Sequence, residues 1–339
     1  MTKLGASHND MALPKLREPV RPPVNPRATG GAMAEVRWTD IVGEVIGRIR
    51  NDEVSKVVLA RDLTVAADEP MDLRFLLDRL LEFYPMTWAY LVDGMVGATP
   101  ELLLRRQGGL VTSRVLAGTV WRNGEGADPL QLAAELSRSE KDISEHEFAV
   151  ASVAEALAPY CKAMNVPDSP SVLRLPNVMH LATDITGVVD EGASALGLAA
   201  ALHPSAAVCG TPRHLAMDII SDLESLDRGR YAGPVGWTDT HGDGEWTIAL
   251  RGGQVEPGAP ERIQLFAGPG SSPTRTPRSN WPRPARSSSR CCRRSAWPEP
   301  AHGLRPGPPP MPPPGPPGIP PATAVLVAVA TVAPSTVTA

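Results

Sequence analysis

Aromatic side chains are scarce, at 4% of the chain, cysteines number only four, and the formal net charge is just -4. Each shortage excludes something. Cys161, Cys209, Cys291 and Cys292 form no CxxC pair, and no histidine stands at zinc spacing. Neither a disulfide scaffold nor a zinc ribbon is indicated, and a reduced, cytoplasmic protein is expected. Without a basic surplus there is no footprint to displace counterions from phosphate, so nucleic acid is not an expected partner. The opening MTKLGASHND has no apolar signal segment, and the last apolar run, Ala322 to Ala333, is too short for a bilayer. No membrane partner is expected.

What is present is length and alternating order. With 339 residues, 42% of them hydrophobic and 21% charged, the chain is long enough for one large domain or two smaller ones. Residues 1–36 are rich in Pro, Arg and Gly and read as a disordered leader. Ile41, Val42, Val45, Ile46 and Ile49 then recur at helical spacing behind Asp40, which would cap a helix running to Arg50. A strand is expected at Lys56–Arg61, and a second helix behind Asp72 carries Leu73, Leu76, Leu77, Leu80 and Leu81. Short strands follow at Thr87–Val92, Met95–Ala98, Leu102–Arg106 and Leu110–Val115, close enough to pair antiparallel. A long helical region at Pro129–Ala158 precedes strands at Val172–Leu175, Val178–Asp184, Val235–Thr238, Trp246–Arg251 and Arg262–Phe266. Without regular βαβ alternation the fold class is α+β, antiparallel sheets flanked by helices.

Several residues invite a chemical reading, each with a bland competitor. Lys56 lies among apolar strand residues and must either snorkel or serve a cavity. Glu101, after Thr99-Pro100, suits the first turn of a short helix as well as an active site. Asp142 and Glu145 are three apart on a helix, so both face one way. Such a pair fits Mg²⁺, which takes one or two protein carboxylates, or simply forms a solvated acidic face. In Leu116-Ala117-Gly118-Thr119 the glycine would let backbone amides approach an anion. Gly233-Pro234-Val235-Gly236-Trp237 could do likewise or be a plain turn. Arg251, ending an apolar strand, suits bidentate capture of a carboxylate or plain edge solubility.

In order and wording, the strings KVVLAR, GATPELLLRR, SRVLAGT, SEKDISEHEFAV, LPNVMHLATDITG, LHPSAAVCGTPR, DRGRYAGPVGW and the WTIALR to RIQLFAG pair resemble the chorismate-utilising enzymes, most of all the isochorismate synthases. They extend over about residues 40 to 268. The resemblance implies a reaction in which water adds at C2 of chorismate while the C4 hydroxyl leaves from the opposite face. It implies Lys56 as general base, Glu101 as general acid, and Asp142 and Glu145 on the helix that binds Mg²⁺. It further implies His180 lining the substrate pocket, and Gly118, Thr119 and Arg251 around the substrate carboxylates. Ala117 stands where aminodeoxychorismate synthases carry a lysine, and Leu202–Val208 reads as the isochorismate synthase version of its string. The product would feed menaquinone or a salicylate-derived siderophore, and the family is compatible with a monomer. Anthranilate or salicylate formation, or a non-catalytic remnant, are the alternatives.

The chain departs from this pattern twice. A strand-rich segment precedes the catalytic lysine in the family, where only the Pro/Arg leader stands here, so an incomplete fold is expected. After Gly268 the family continues with an apolar pair, then a helix with Glu-Thr and a downstream Lys; here residues 269–339 are Ser, Pro and Arg-rich without hydrophobic period. One permitted encoding of residues 268–288, with a single base inserted after the first codon, reads GAGIVADPDPAQQLAETRAKF. The expectation is a catalytic domain over 37–268 and a disordered, out-of-frame tail.

Overall fold

The computed structural model describes residues 19–121, 128–175, 178–268 and 270–271. Along the chain run β1 (Arg27–Gly30), α1 (Glu35–Arg50), β2 (Lys56–Val58), β3 (Arg61–Ala66), α2 (Leu73–Phe83), β4 (Trp88–Val92), β5 (Met95–Thr99), β6 (Leu102–Gln107) and β7 (Leu110–Trp121). There follow α3 (Pro129–Arg138), α4 (Glu140–Leu157), β8 (Cys161–Asn165), β9 (Ser171–Arg174), β10 (Val178–Val189), α5 (Ala195–Leu202), β11 (Gly210–Thr211) and α6 (Arg213–Leu223). The last elements are β12 (Pro234–Thr238), β13 (Gly244–Ile248), β14 (Gly252–Glu256), β15 (Ala259–Ala267) and β16 (Gly270–Ser271).

Three sheets result. A six-stranded sheet has the order β1-β3-β15-β14-β5-β4, a seven-stranded one runs β12-β13-β6-β7-β10-β8 with β9 also on β10, and a small one is β11-β2-β16. All pairings are antiparallel. The fold is therefore α+β, with helices against antiparallel sheets. The chain passes from the six-stranded to the seven-stranded sheet at Pro100-Glu101, between β5 and β6, and returns at Ala249–Arg251, between β13 and β14. The two passages are tied together, the Ile248 amide donating to the Glu101 carbonyl at 3.2 Å and the Ala98 amide to that of Arg251 at 3.3 Å.

The main core joins Leu104, Val111, Ile185 and Trp246 of the seven-stranded sheet to Leu157 of α4 and Leu198 of α5. A second core packs the α1 stripe against Val57, Leu59 and the α6 residues Ala216 and Ile219. Apolar burial of this kind is the main driving force for both. α2 starts as expected, the Asp72 carboxylate accepting from the Arg74 amide.

Several boundaries differ from expectation. α1 begins at Glu35 rather than behind Asp40, because Trp38, 1% exposed, extends the buried stripe one turn earlier. The expected strand over residues 56–61 breaks at Leu59-Ala60, where the Ala60 amide turns to the Glu224 carboxylate at 2.5 Å. The long helical region divides at Ser139, which caps α4 by accepting from the Asp142 amide. Glu101 lies between strands and not in a helix. The expected leader contributes β1, whose Arg27 pairs in register with Ala66 and whose side chain bonds Asp68 at 2.6 Å. Of the expected tail, Gly270 and Ser271 pair with Val58 and Val57; residues 269 and 272–339, and residues 1–18 of the leader, lie outside the described residues. No helix among the described residues is long and apolar enough to cross a membrane.

Candidate active site

Most of the site lies around the seam where the two large sheets part. Glu101 is set there by the crossover from β5 to β6, its amide donating to Thr99 Oγ1 at 3.3 Å. The residue as a whole is half-buried, while its carboxyl is enclosed by protein. Burial pushes its carboxyl up to about 7, even though the positive charges of Lys56 and Arg251 act in the opposite sense. A carboxylic acid that titrates near neutrality beside two cations is suited to proton transfer.

Arg251 occupies the return crossover at φ 56, in the left-handed region. Non-glycine residues held there are strained, and such strain concentrates at functional sites. The strand predicted to run through Arg251 ends at Ile248, because the chain must leave the seven-stranded sheet to enter the six-stranded one. Arg251 also lines a cavity of about 140 Å³ with Thr87, Ala98, Pro100, Val178, Leu80 of α2 and Tyr84 just after it.

Across from the crossovers, β7 and β10 form a long ladder with one irregularity. His180 pairs with Thr119, but Leu181 pairs with Ala117, which leaves Gly118 as an extra residue. Gly118 has φ +69, and a Cβ there would stand 3.0 Å from the Asp142 Cβ. This bulge needs glycine for its backbone angle and for the approach of α4. Thr119 Oγ1 lies 3.1 Å from His180 Nδ1. Burial, reinforced by the nearby charge of Arg251, pushes His180 down to about 4, so its ring is neutral at physiological pH.

On α4, Asp142 Oδ2 accepts from Ser139 Oγ at 2.5 Å. Glu145 Oε1 is buried without a hydrogen-bond partner. A buried carboxylate oxygen left unpaired is costly unless something binds it, and a hard cation is suited to do so. Among the described residues no three His, Cys, Asp or Glu side chains gather into a metal cluster. Two carboxylates one turn apart nonetheless fit Mg²⁺, which retains water or substrate oxygens in its remaining positions.

Charge thus couples Lys56 and Arg251 to Glu101 and Arg251 to His180, while direct contact joins His180 to Thr119 and Asp142 to Gly118. The second glycine segment does not join them as an anion cradle: the Gly233 amide donates to the Arg230 carbonyl, and Gly236 pairs with Trp246 in β12. Sequence reasoning missed Tyr231. Its ring stacks on Phe266 at 4.7 Å, and burial pushes its hydroxyl up to about 12, with the charges of Arg251 and Glu101 both acting on it. The string DRGRYAGPVGW held that signal in its tyrosine, where attention went to the glycines.

An α+β fold that sets a buried acid near two cations, beside a glycine bulge and a carboxylate-bearing helix, narrows the class to folds with a site suited to a small anion. A family profile described as chorismate binding enzyme matches residues 6–279. The chain belongs to that family. It is 38% identical over 242 residues to isochorismate synthase DhbC of Bacillus subtilis, covering 68% of this chain and 60% of the relative. It is 36% identical over 252 residues to isochorismate synthase EntC of Escherichia coli K12, covering 73% and 64%. The solved structure of MenF, the menaquinone-specific isochorismate synthase from Escherichia coli, superposes with a TM-score of 0.71 at 26% identity over 78% of this chain and 62% of that one. The chain thus spans less than two thirds of the length of these relatives.

Proposed function

We propose that this chain carries the site of an isochorismate synthase, converting chorismate to isochorismate. The observation that supports this best is the Glu101 carboxyl, raised to about 7 beside Lys56 and Arg251. With its proton passed to Glu101, the Lys56 amine takes a proton from water as the water oxygen bonds to C2 of chorismate. The ring double bonds shift, the C4–O bond breaks, and the hydroxyl leaves as water with the proton of Glu101. Proton return from Lys56 to Glu101 resets both groups, and atoms balance as an isomerisation. Arg251 and the backbone around Gly118 and Thr119 hold the substrate carboxylates, and neutral His180 lines the pocket as a hydrogen-bonding wall rather than a competing charge. Asp142 and Glu145 would hold Mg²⁺, which when bound neutralises a substrate carboxylate.

The same reading takes residues from about Pro269 onward as translated out of frame, supported by the loss of hydrophobic period at that point. It also takes the protein as cytoplasmic, supported by the absence of cysteine pairing patterns in its sequence. Little turnover is expected of the chain as it stands, because the Glu-Thr and Lys of the resemblance are missing from its sequence. Calorimetry with chorismate and Mg²⁺, alongside chromatographic assay of the chain and of a version with the frame restored by one base, tests this. Chorismate heat from the first and isochorismate from the second are expected. No heat and no product from either would overturn the reading, and a coding DNA in which no single base restores Glu-Thr and Lys would overturn the frame proposal.

A further inference from the structure

His146 follows the candidate metal ligand Glu145, yet its ring points into the protein. It is 1% exposed, as is fitting for a core residue, and its Nε2 lies 2.7 Å from Thr183 Oγ1, itself 3% exposed. Nδ1 has no hydrogen-bond partner. The contact with Thr183 ties α4 to β10. Thr183 in turn pairs with Val115 of β7, close to Ala117, where the register slips around Gly118.

Asp142 lies four residues earlier on the same helix face and packs on Gly118 itself. α4 therefore meets the β7–β10 ladder at two points one turn apart, Asp142 at the bulge and His146 beside it. Apolar contacts alone would tolerate some sliding of the helix, whereas a buried hydrogen bond is directional and costly to leave unmade. We propose that His146 is a positioning residue that, through Thr183, pins α4 to the ladder beside the Gly118 bulge and so fixes Glu145 and Asp142 relative to the Gly118-Thr119 amides. The pin is a property of the fold; only its consequence for Mg²⁺ rests on the function proposed above.

The test compares Thr183→Val, which removes the hydroxyl at similar volume, with Thr183→Ser, which retains it. Amide hydrogen exchange is read at Gly118 and Thr119 and, as a control, in α1; Mg²⁺ alone is titrated by calorimetry. Exchange at the two bulge amides about tenfold faster in Thr183→Val, unchanged in α1 and restored by Thr183→Ser, is expected. Mg²⁺ affinity should weaken about tenfold in the same variant, the usual scale for groups that orient metal ligands. Bulge exchange unchanged in Thr183→Val, accelerated equally in α1, or equally fast in both variants would overturn the pin. Absence of chorismate heat from the unsubstituted chain would count against the proposed function alone, because the exchange comparison needs no ligand.

Discussion

The two walls of the site are built on opposite principles. Glu101, His180 and Thr119 stand on or beside long strands, β7 and β10 being paired from Leu110 with Val188 to Trp121 with Val178. Lys56 stands on β2, three residues long, flanked by two-residue strands in the small sheet. The long wall is held by its own ladder. The short wall is held from outside: the Glu224 carboxylate accepts from the Ala60 amide across 164 residues of sequence, and Arg228 donates to the carbonyls of Val58 and Val208. Glu224 and Arg228 are themselves joined at 2.6 Å, with side chains 2% and 20% exposed. An amine presented by so short a strand depends on a buried ion pair elsewhere, whereas His180 and Thr119 depend on the ladder they belong to.

The comparison breaks most directly at that brace. Arg228→Ala leaves Glu224 buried without its partner and should lower unfolding stability by about 3 kcal/mol in urea titration. A loss under about 1 kcal/mol would show that the short wall stands without it. On the long wall, Gly118→Ala forces a Cβ into the left-handed region and to within 3.0 Å of the Asp142 Cβ. It should cost about 2 kcal/mol by the same measurement, and weaken chorismate heat in calorimetry.

Glu101 sharpens the contrast through pH. Its folded carboxyl holds a proton up to about 7, compared with 4.5 for a free glutamic acid, so folding stability from this group falls as pH rises through that window. Above it the fold carries a buried carboxylate. Glu101→Gln should therefore stabilise the chain by up to about 2 kcal/mol at pH 8, the shift being discounted because the residue is only half-buried. The advantage should vanish near pH 4.5, and equal gains at both pH values would contradict this sign. His180 runs the other way: lowered to about 4 by burial, it contributes stability at pH 7 that is lost as pH falls from 6.5. Smallest of all, Asp72→Ala removes the α2 cap and should cost about 1 kcal/mol without altering the profile between pH 4.5 and about 7.

The sequence made most strands of the seven-stranded sheet legible because alternation and turn residues are local signals. It also carried the candidate site residues Lys56, Glu101, Gly118 and Thr119 in the contiguous strings KVVLAR, GATPELLLRR and SRVLAGT. Three things were not legible. β1 exposes all four of its residues, so it has no burial pattern to read, and it exists through pairing with β3 and contacts to Asp68. Arg251 looked like the end of a strand because its φ of 56 follows from a change of sheet, a tertiary event. The brace of Glu224 and Arg228 is an ordinary i,i+4 pair in sequence, and only burial beside Ala60 distinguishes it.

The pairing of Gly270 and Ser271 with β2 joins main-chain atoms, and main-chain atoms are the same whatever codon is read. On the out-of-frame reading, a shift just upstream could replace every side chain there and still leave the third strand beside Lys56 in register. The damage would fall on the side chains that should come next, so such a protein would hold its amine in place while lacking the groups that complete its pocket.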